Sequence, residues 1–149
     1  MGLFSSFDIN ASGLTAQRYR MDVVSENIAN VDTTRTANGD PYRRKIVTFQ
    51  EKGTGAHFSE AFTKATGSYR GKGVRVIGTF EDTQTDMKMA YDPAHPDADE
   101  NGYVTYPNVD IMTEMTNLID ASRSYEANAT AFQASKSMAV KGLEMGGNG

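Results

Sequence analysis

Asp97, Asp99, Asn101 and Gly102 follow the spacing D-x-D-x-N-G, and of all stretches in this 149-residue chain theirs comes nearest in residue types to a chemical site. Oxygen donors at positions one, three and five, with glycine at six, are what wrapping a backbone around calcium requires. Position twelve should supply a bidentate glutamate, yet it holds Asn108 behind Pro107, and Pro93 and Pro96 stand where a helix would have to enter. The stretch therefore reads as an acidic turn feeding a hairpin. An acidic, calcium-responsive protein-binding module is the alternative class it leaves open.

Other chemistries find less support. His57 and His95 lie on different loops with no nucleophile motif beside them, and Gly71-Lys72-Gly73 lacks the glycine spacing and the following Ser/Thr of a phosphate loop. The absence of cysteine removes disulfides, thiolate metal sites and cysteine nucleophiles. The expectation is a protein that is not an enzyme and holds no cofactor and no metal. Arg43, Arg44 and Lys45, near Tyr42 and Phe49, have the types to track a phosphate backbone, but a pI near 5.1 opposes a nucleic-acid footprint. Charge is also unevenly spread: residues 1–80 carry eleven Lys/Arg against seven Asp/Glu, and residues 81–149 carry four against twelve. Such asymmetry can solvate two surfaces or attract copies head to tail.

What could position residues for any task is a pair of terminal helices. From Val109 to Leu143, steps of four and three pick out Ile111, Met115, Leu118, Ser122, Tyr125, Ala129, Phe132, Lys136, Ala139 and Leu143, and Met112, Ile119 and Val140 add apolar positions beyond that seam. A helix of this length would reach about 50 Å, more than a compact domain of this size usually needs. Residues 3–31 form a second periodic stretch through Phe4, Phe7, Ala11, Leu14, Met21, Val24, Ile28 and Val31, interrupted by Arg18. Gly13 weakens such a helix by about 1 kcal/mol, so either the helix starts near Ser12 or close packing justifies the glycine. Arg123, three residues before Glu126, suggests a surface ion pair or a contact to a neighbouring subunit.

Between the helices the pattern changes. Asn30–Asp40 is rich in Thr, Asn, Asp and Gly and reads as an extended or turn-forming linker. Strands are expected after Pro41, over 73–82 with Val74, Val76, Gly78 and Phe80 on one face, near Met87, Met89 and Tyr91, and over Tyr103–Tyr106. The glycine-bearing stretch 53–72 reads mainly as a loop, and Asn108 is the candidate cap of the last helix. The N-terminus MGLFSSFDIN lacks the basic and long apolar regions of a secretory signal, although Met1, Gly2 and Ser6 fit the loose N-myristoylation pattern, and no stretch approaches a membrane span. A mean hydropathy of -0.52 predicts a modest core.

Ser12-Gly13-Leu14, Ala16-Gln17 and Asn27-Ile28-Ala29-Asn30, followed by Thr33-Thr34, resemble the N-terminal signature of bacterial flagellar axial proteins, those of rod, hook and hook–filament junction. Glu114-Met115, Leu118-Ile119, Arg123 and Tyr125-Glu126-Ala127-Asn128 resemble the C-terminal partner motif, in the correct order. Arg35-Thr36, Gly39, Pro41-Tyr42-Arg43-Arg44, Asp92-Pro93, His95-Pro96, Gly102-Tyr103-Val104 and Pro107-Asn108-Val109 are similar to the proximal-rod members of that family. Ala121-Ser122-Arg123 lacks the glutamine many axial proteins carry before the arginine, and this too is similar to the proximal-rod type.

The resemblance implies a structural subunit of the flagellar basal body that polymerises through its terminal helices into the torque-transmitting proximal rod in the periplasm. It also implies export through the flagellar type III apparatus without a cleaved signal peptide, and as partners other copies of itself and other rod proteins, with no nucleic acid and no membrane span. The fold expected is α+β: an antiparallel, coiled-coil-like pair of long helices around a small β-rich module, divided as 1–31 axial helix, 32–108 linker and β-rich module, and 109–149 axial helix and tail. The assembly surface is expected at Leu14, Gln17, Met21, Val24, Asn27, Ile28, Asn30 and Val31, and at Ile111, Met115, Leu118, Ile119, Ser122, Arg123, Tyr125, Asn128, Phe132 and Lys136.

Overall fold

Asn30 ends the first helix. Its amide Nδ2 donates to the Glu26 carbonyl at 2.9 Å, its oxygen accepts the Thr33 hydroxyl at 3.1 Å, and the chain turns away from the helical path. The computed structural model describes residues 3–52, 62 and 71–146, and in it the helix runs over Leu3–Ala29 (α1). Four strands follow: Lys45–Glu51 (β1), Val74–Glu81 (β2), Lys88–Tyr91 (β3) and Tyr103–Tyr106 (β4). The last element is the 36-residue helix Ile111–Gly146 (α2). The architecture is α+β, two long helices enclosing a middle region of two small sheets. The loop reading of 53–72 lies largely outside the described residues, as do His57, the Met1-Gly2 pair and all of the glycine-rich end beyond Gly146.

The strands pair as β1 with β2 and β3 with β4. The first pair is antiparallel, with the Lys52 N–H on the Gly73 carbonyl near one end and the Asp82 N–H on the Arg44 carbonyl at the other. In the second, Lys88 opposes Tyr106 and Tyr91 opposes Tyr103. β1 starts later than the sequence pattern suggests because residues 42–44 spend their backbone donors elsewhere: Tyr42 N–H on the Thr33 carbonyl, Arg44 N–H on the side chain of Asn108. Of Val74, Val76, Gly78 and Phe80, expected on one face, the first three are half-buried and Phe80 is exposed. Gly102 closes the acidic turn at a φ of +82°, where a Cβ would sit 2.9 Å from the Tyr91 ring.

Asp110, not Asn108, caps α2. Its carboxylate accepts the Thr113 N–H at 3.1 Å and the Thr113 hydroxyl at 2.6 Å, and these bonds hold the Asp110 pKa below the usual carboxylate range. Asn108 is buried two residues earlier and its side chain is committed to other backbone groups.

The chain divides into two compact units, one of Met1–Arg18, Phe49–Ile77 and Ser122–Gly149, the other of Tyr19–Thr48 and Gly78–Ala121. In the first, α1 and α2 run antiparallel: the Phe7 and Phe132 rings meet edge to face at 5.0 Å, and Gly13 faces Asn128. Helix α1 continues through Gly13, and glycine suits the position because a Cβ there would come within 2.7 Å of the Asn128 side-chain oxygen. Ser12 donates to the Ile9 carbonyl and accepts the Val74 N–H, tying α1 to the start of β2. In the second unit, Arg20 reaches Asn117 and Asn27 reaches Glu114, again with the helices antiparallel. Its apolar core is Val23, Val24, Tyr42, Val104, Val109 and Ala121.

Candidate functional site

Asn27 has no exposed surface and uses its whole amide. Its Nδ2 donates to the Lys45 carbonyl and to Glu114 Oε2, each at 2.9 Å, while its oxygen accepts the Tyr42 hydroxyl and the Lys45 N–H, also at 2.9 Å. Toward β1 the side chain thus behaves like one more residue of a neighbouring strand, taking the N–H and C=O that Lys45 turns away from β2. Toward α2 it meets Glu114, equally inaccessible to solvent. Glu114 Oε1 accepts Arg44 Nε at 2.8 Å and is 2.7 Å from a terminal guanidinium nitrogen of the same arginine.

Arg44 extends the cluster to Asp82, 3.5 Å away. Asp82 accepts the Thr85 hydroxyl and N–H and the Gln84 N–H, and these bonds, helped by Arg44, lower its pKa against the opposing effect of burial. Asn108 completes the circuit, accepting the Arg44 N–H and donating to the carbonyls of Asp82 and Thr85. Lys45 pairs with Glu26 and sits 5.6 Å from the centre of the Tyr42 ring. Burial pushes the Tyr42 hydroxyl up to about 12, reinforced by the carboxylates of Glu26, Glu114 and Glu81. The phenol therefore stays protonated and can keep donating to Asn27.

A buried acid with an arginine and a tyrosine invites a catalytic reading, but Glu114 and Asn27 have no accessible surface and their polar atoms are already matched. The cluster works as a lock. It joins the end of α1, the entry to β1, the end of β2 and the first turns of α2, segments 70 residues apart in the case of Arg44 and Glu114 and 87 in the case of Asn27 and Glu114. Breaking such a network is far more costly than its net contribution suggests, because each removed partner strands a buried group.

The acidic turn is likewise committed. Asp97 forms an ion pair with Arg35 at 2.9 Å and accepts the Thr34 hydroxyl, while Asp99 accepts the Asn101 and Tyr103 N–H groups that shape the turn. These internal partners account for the D-x-D-x-N-G spacing, and among the described residues no group of three or more His, Asp or Glu side chains converges to hold a cation.

Two family models match the chain: "Flagella basal body rod protein" over residues 7–35 and "Flagellar basal body rod FlgEFG protein C-terminal" over residues 100–145. The chain is 50% identical to the flagellar basal-body rod protein FlgC of Bacillus subtilis across 98% of its own length and 99% of the relative's. The chain belongs to the FlgC family of flagellar basal-body rod proteins. Relatives of the same name in Borreliella burgdorferi and Salmonella typhimurium are 47% and 42% identical, over 93% and 98% of this chain and 93% and 99% of theirs. All three carry the name of a flagellar basal-body rod protein. No helix among the described residues is long and apolar enough to cross a membrane.

Family membership makes the placement of the expected assembly residues informative. Val24 and Asn27 are buried within the second unit. Met21, Ile28, Asn30, Val31 and Leu118 are half-buried there, as are Leu14, Gln17, Ser122, Asn128 and Phe132 in the first unit, where Gln17 Oε1 is buried with no hydrogen-bond partner. Ile111, Met115 and Ile119 are exposed in the second unit, and Arg123, Tyr125 and Lys136 in the first. Arg123 is not ion-paired to Glu126.

The inward row of α2 is instead Glu114, Ala121, Asn128 and Ser135, spaced by seven, of which all but Asn128 are buried. Small and polar residues at heptad spacing were the available signal for this face, outweighed by the apolar seam beside it. Tyr42, Arg44 and Asn108 stood in motifs of the family resemblance and Asp82 in none, but nothing in those motifs joined them, since their partners lie far along the chain.

Proposed function

We propose that this chain is a structural subunit of the bacterial flagellar basal-body rod and assembles through the faces of α1 and α2 that its own units leave uncovered. One observation carries the reading. Ile111, Met112, Met115 and Ile119 form an exposed apolar stripe on the first turns of α2, with Met112 at 72%, Met115 at 50% and Ile119 at 53% exposure, while Glu114 and Ala121 face inward. Helical spacing puts that stripe on the side of α2 away from Glu114 and Ala121, so the fold covers the polar side and leaves the apolar side for another chain.

The buried residues of the first unit point the same way. Among the described residues they are small, Gly13, Ala16 and Ser135, while Met138, Leu143 and Met145 remain exposed along α2. Apolar length of this kind is stabilised by packing between subunits. The names of the relatives and the axial motifs support a place in the torque-transmitting proximal rod. Other copies and other rod proteins are then the partners, and delivery is by the type III export apparatus to the periplasm without signal cleavage. Within the expected assembly set, the exposed and half-buried positions serve as contacts, and Val24 and Asn27 as internal supports.

Ile119→Asp tests the surface. The site is exposed, so the isolated subunit should keep its stability within about 0.5 kcal/mol. Cells relying on the variant should lack assembled rods when basal bodies are purified and imaged. Rods in normal number would remove the stripe from the assembly surface.

A further inference from the structure

Five of the methionines on the described surface are exposed, and two of them, Met112 and Met115, lie one turn apart within the uncovered stripe, between Ile111 and Ile119. Met21 and Met87 are half-buried by comparison. We propose that Met112 and Met115 are an oxidation-sensitive modification site that gates assembly, an inference that rests on the stripe being an assembly surface.

Peroxide oxidises an exposed thioether by oxygen transfer. The O–O bond breaks, an S–O bond forms, sulfur gives up two electrons to become the sulfoxide, and the remaining oxygen leaves as water with the peroxide protons. In the free subunit both side chains are exposed, so the oxidant reaches them and the sulfoxides stay hydrated, leaving the fold undisturbed. In a contact between chains the same oxygens would be buried against apolar side chains without donors, weakening association by roughly tenfold for each. Assembly in turn hides the sulfurs. The site is therefore open before incorporation and closed after it, and a sulfoxide reductase acting on the free subunit would restore competence.

Methionine is also an uneconomical choice for a fixed contact, because leucine would supply the same apolar volume with less rotamer freedom to lose. That substitution is the tool for the test. Purified full-length chain, native or Met112→Leu/Met115→Leu, is treated with dilute hydrogen peroxide, mapped by mass spectrometry, and supplied to rod assembly; a second aliquot is repaired with methionine sulfoxide reductase first.

The native chain should gain one oxygen at each of Met112 and Met115 before Met21 and Met87, lose incorporation by roughly a hundredfold, and recover after repair. The leucine pair should incorporate normally without peroxide and, because Met138 and Met145 stay open to the oxidant, lose at least about tenfold less than the native chain with it, while Met112→Gln/Met115→Gln should fail without any oxidant. Equal loss in the native and leucine chains, unmodified Met112 and Met115, or full assembly of the doubly oxidised chain would each overturn the proposal. If Ile119→Asp blocks assembly while the leucine pair confers no protection, the surface stands and only the oxidation gate falls. Normal assembly of Ile119→Asp would remove the surface itself.

Discussion

Asn27→Ala is the sharpest probe of the buried lock. The substitution removes the side-chain hydrogen-bond partner that four groups share among the described residues: the Tyr42 hydroxyl, the Lys45 N–H, the Lys45 carbonyl and Glu114 Oε2. A stranded buried group costs about 1–3 kcal/mol, and a water entering the vacated space offsets part of the total. The expected loss is about 3–5 kcal/mol, a large share of the roughly 5–15 kcal/mol that holds a domain together.

Urea unfolding followed by tyrosine fluorescence suits a chain with seven tyrosines and no tryptophan. With a slope of about 1–3 kcal/mol per molar urea, the midpoint should fall by roughly 1–5 M. Asn27→Asp is the companion: it keeps an acceptor for Tyr42 and the Lys45 N–H but turns a second oxygen toward the Lys45 carbonyl and Glu114. It should be destabilised at neutral pH by a similar amount. If Asn27→Ala lowers stability by less than about 0.5 kcal/mol, the network contributes nothing that the surrounding packing does not already provide, and the lock is refuted.

Two further outcomes concern packing and titration. Gly13→Ala should destabilise the first unit despite the roughly 1 kcal/mol gain in helix propensity, because its Cβ would meet Asn128; adding Asn128→Ala should turn the change into a net gain, read as a coupling energy in a double-mutant cycle. Stability should also fall at both ends of the pH scale. Tyr42 binds its proton more tightly folded than unfolded, so its contribution is complete below about 10 and is lost as pH rises toward about 12. Asp82 and Asp110 are lowered in the fold, so theirs is complete above the ordinary carboxylate range and is lost as pH falls through the lower folded values. A flat stability profile above pH 10 in native protein, matching that of Tyr42→Phe, would count against the first.

Local chemistry made much of this protein readable from its residues alone. Helical periodicity marked both long helices, turn residues marked the linker, and β-branched and aromatic runs marked the strands, with Tyr103–Tyr106 placed to the residue. Gly13 left two readings open, a helix starting near Ser12 or a close approach, and only the structure chose the second. The two separated motifs were enough to indicate the flagellar axial family.

Which face of each helix turns inward was decided only in three dimensions. Hydrophobic spacing put Ile111 and Met115 on a seam with Ile119 beside it, yet the fold buries Glu114 and Ala121 instead. The reason is that burial is a relation between segments, and a carboxylate can be fully enclosed where Arg44 and Asn27 meet it from 70 and 87 residues away. For the same reason Asn27, which stands in the helix as one polar residue among many, became the hinge of the buried lock. The apolar stripe it displaced from the interior was left for another chain to cover.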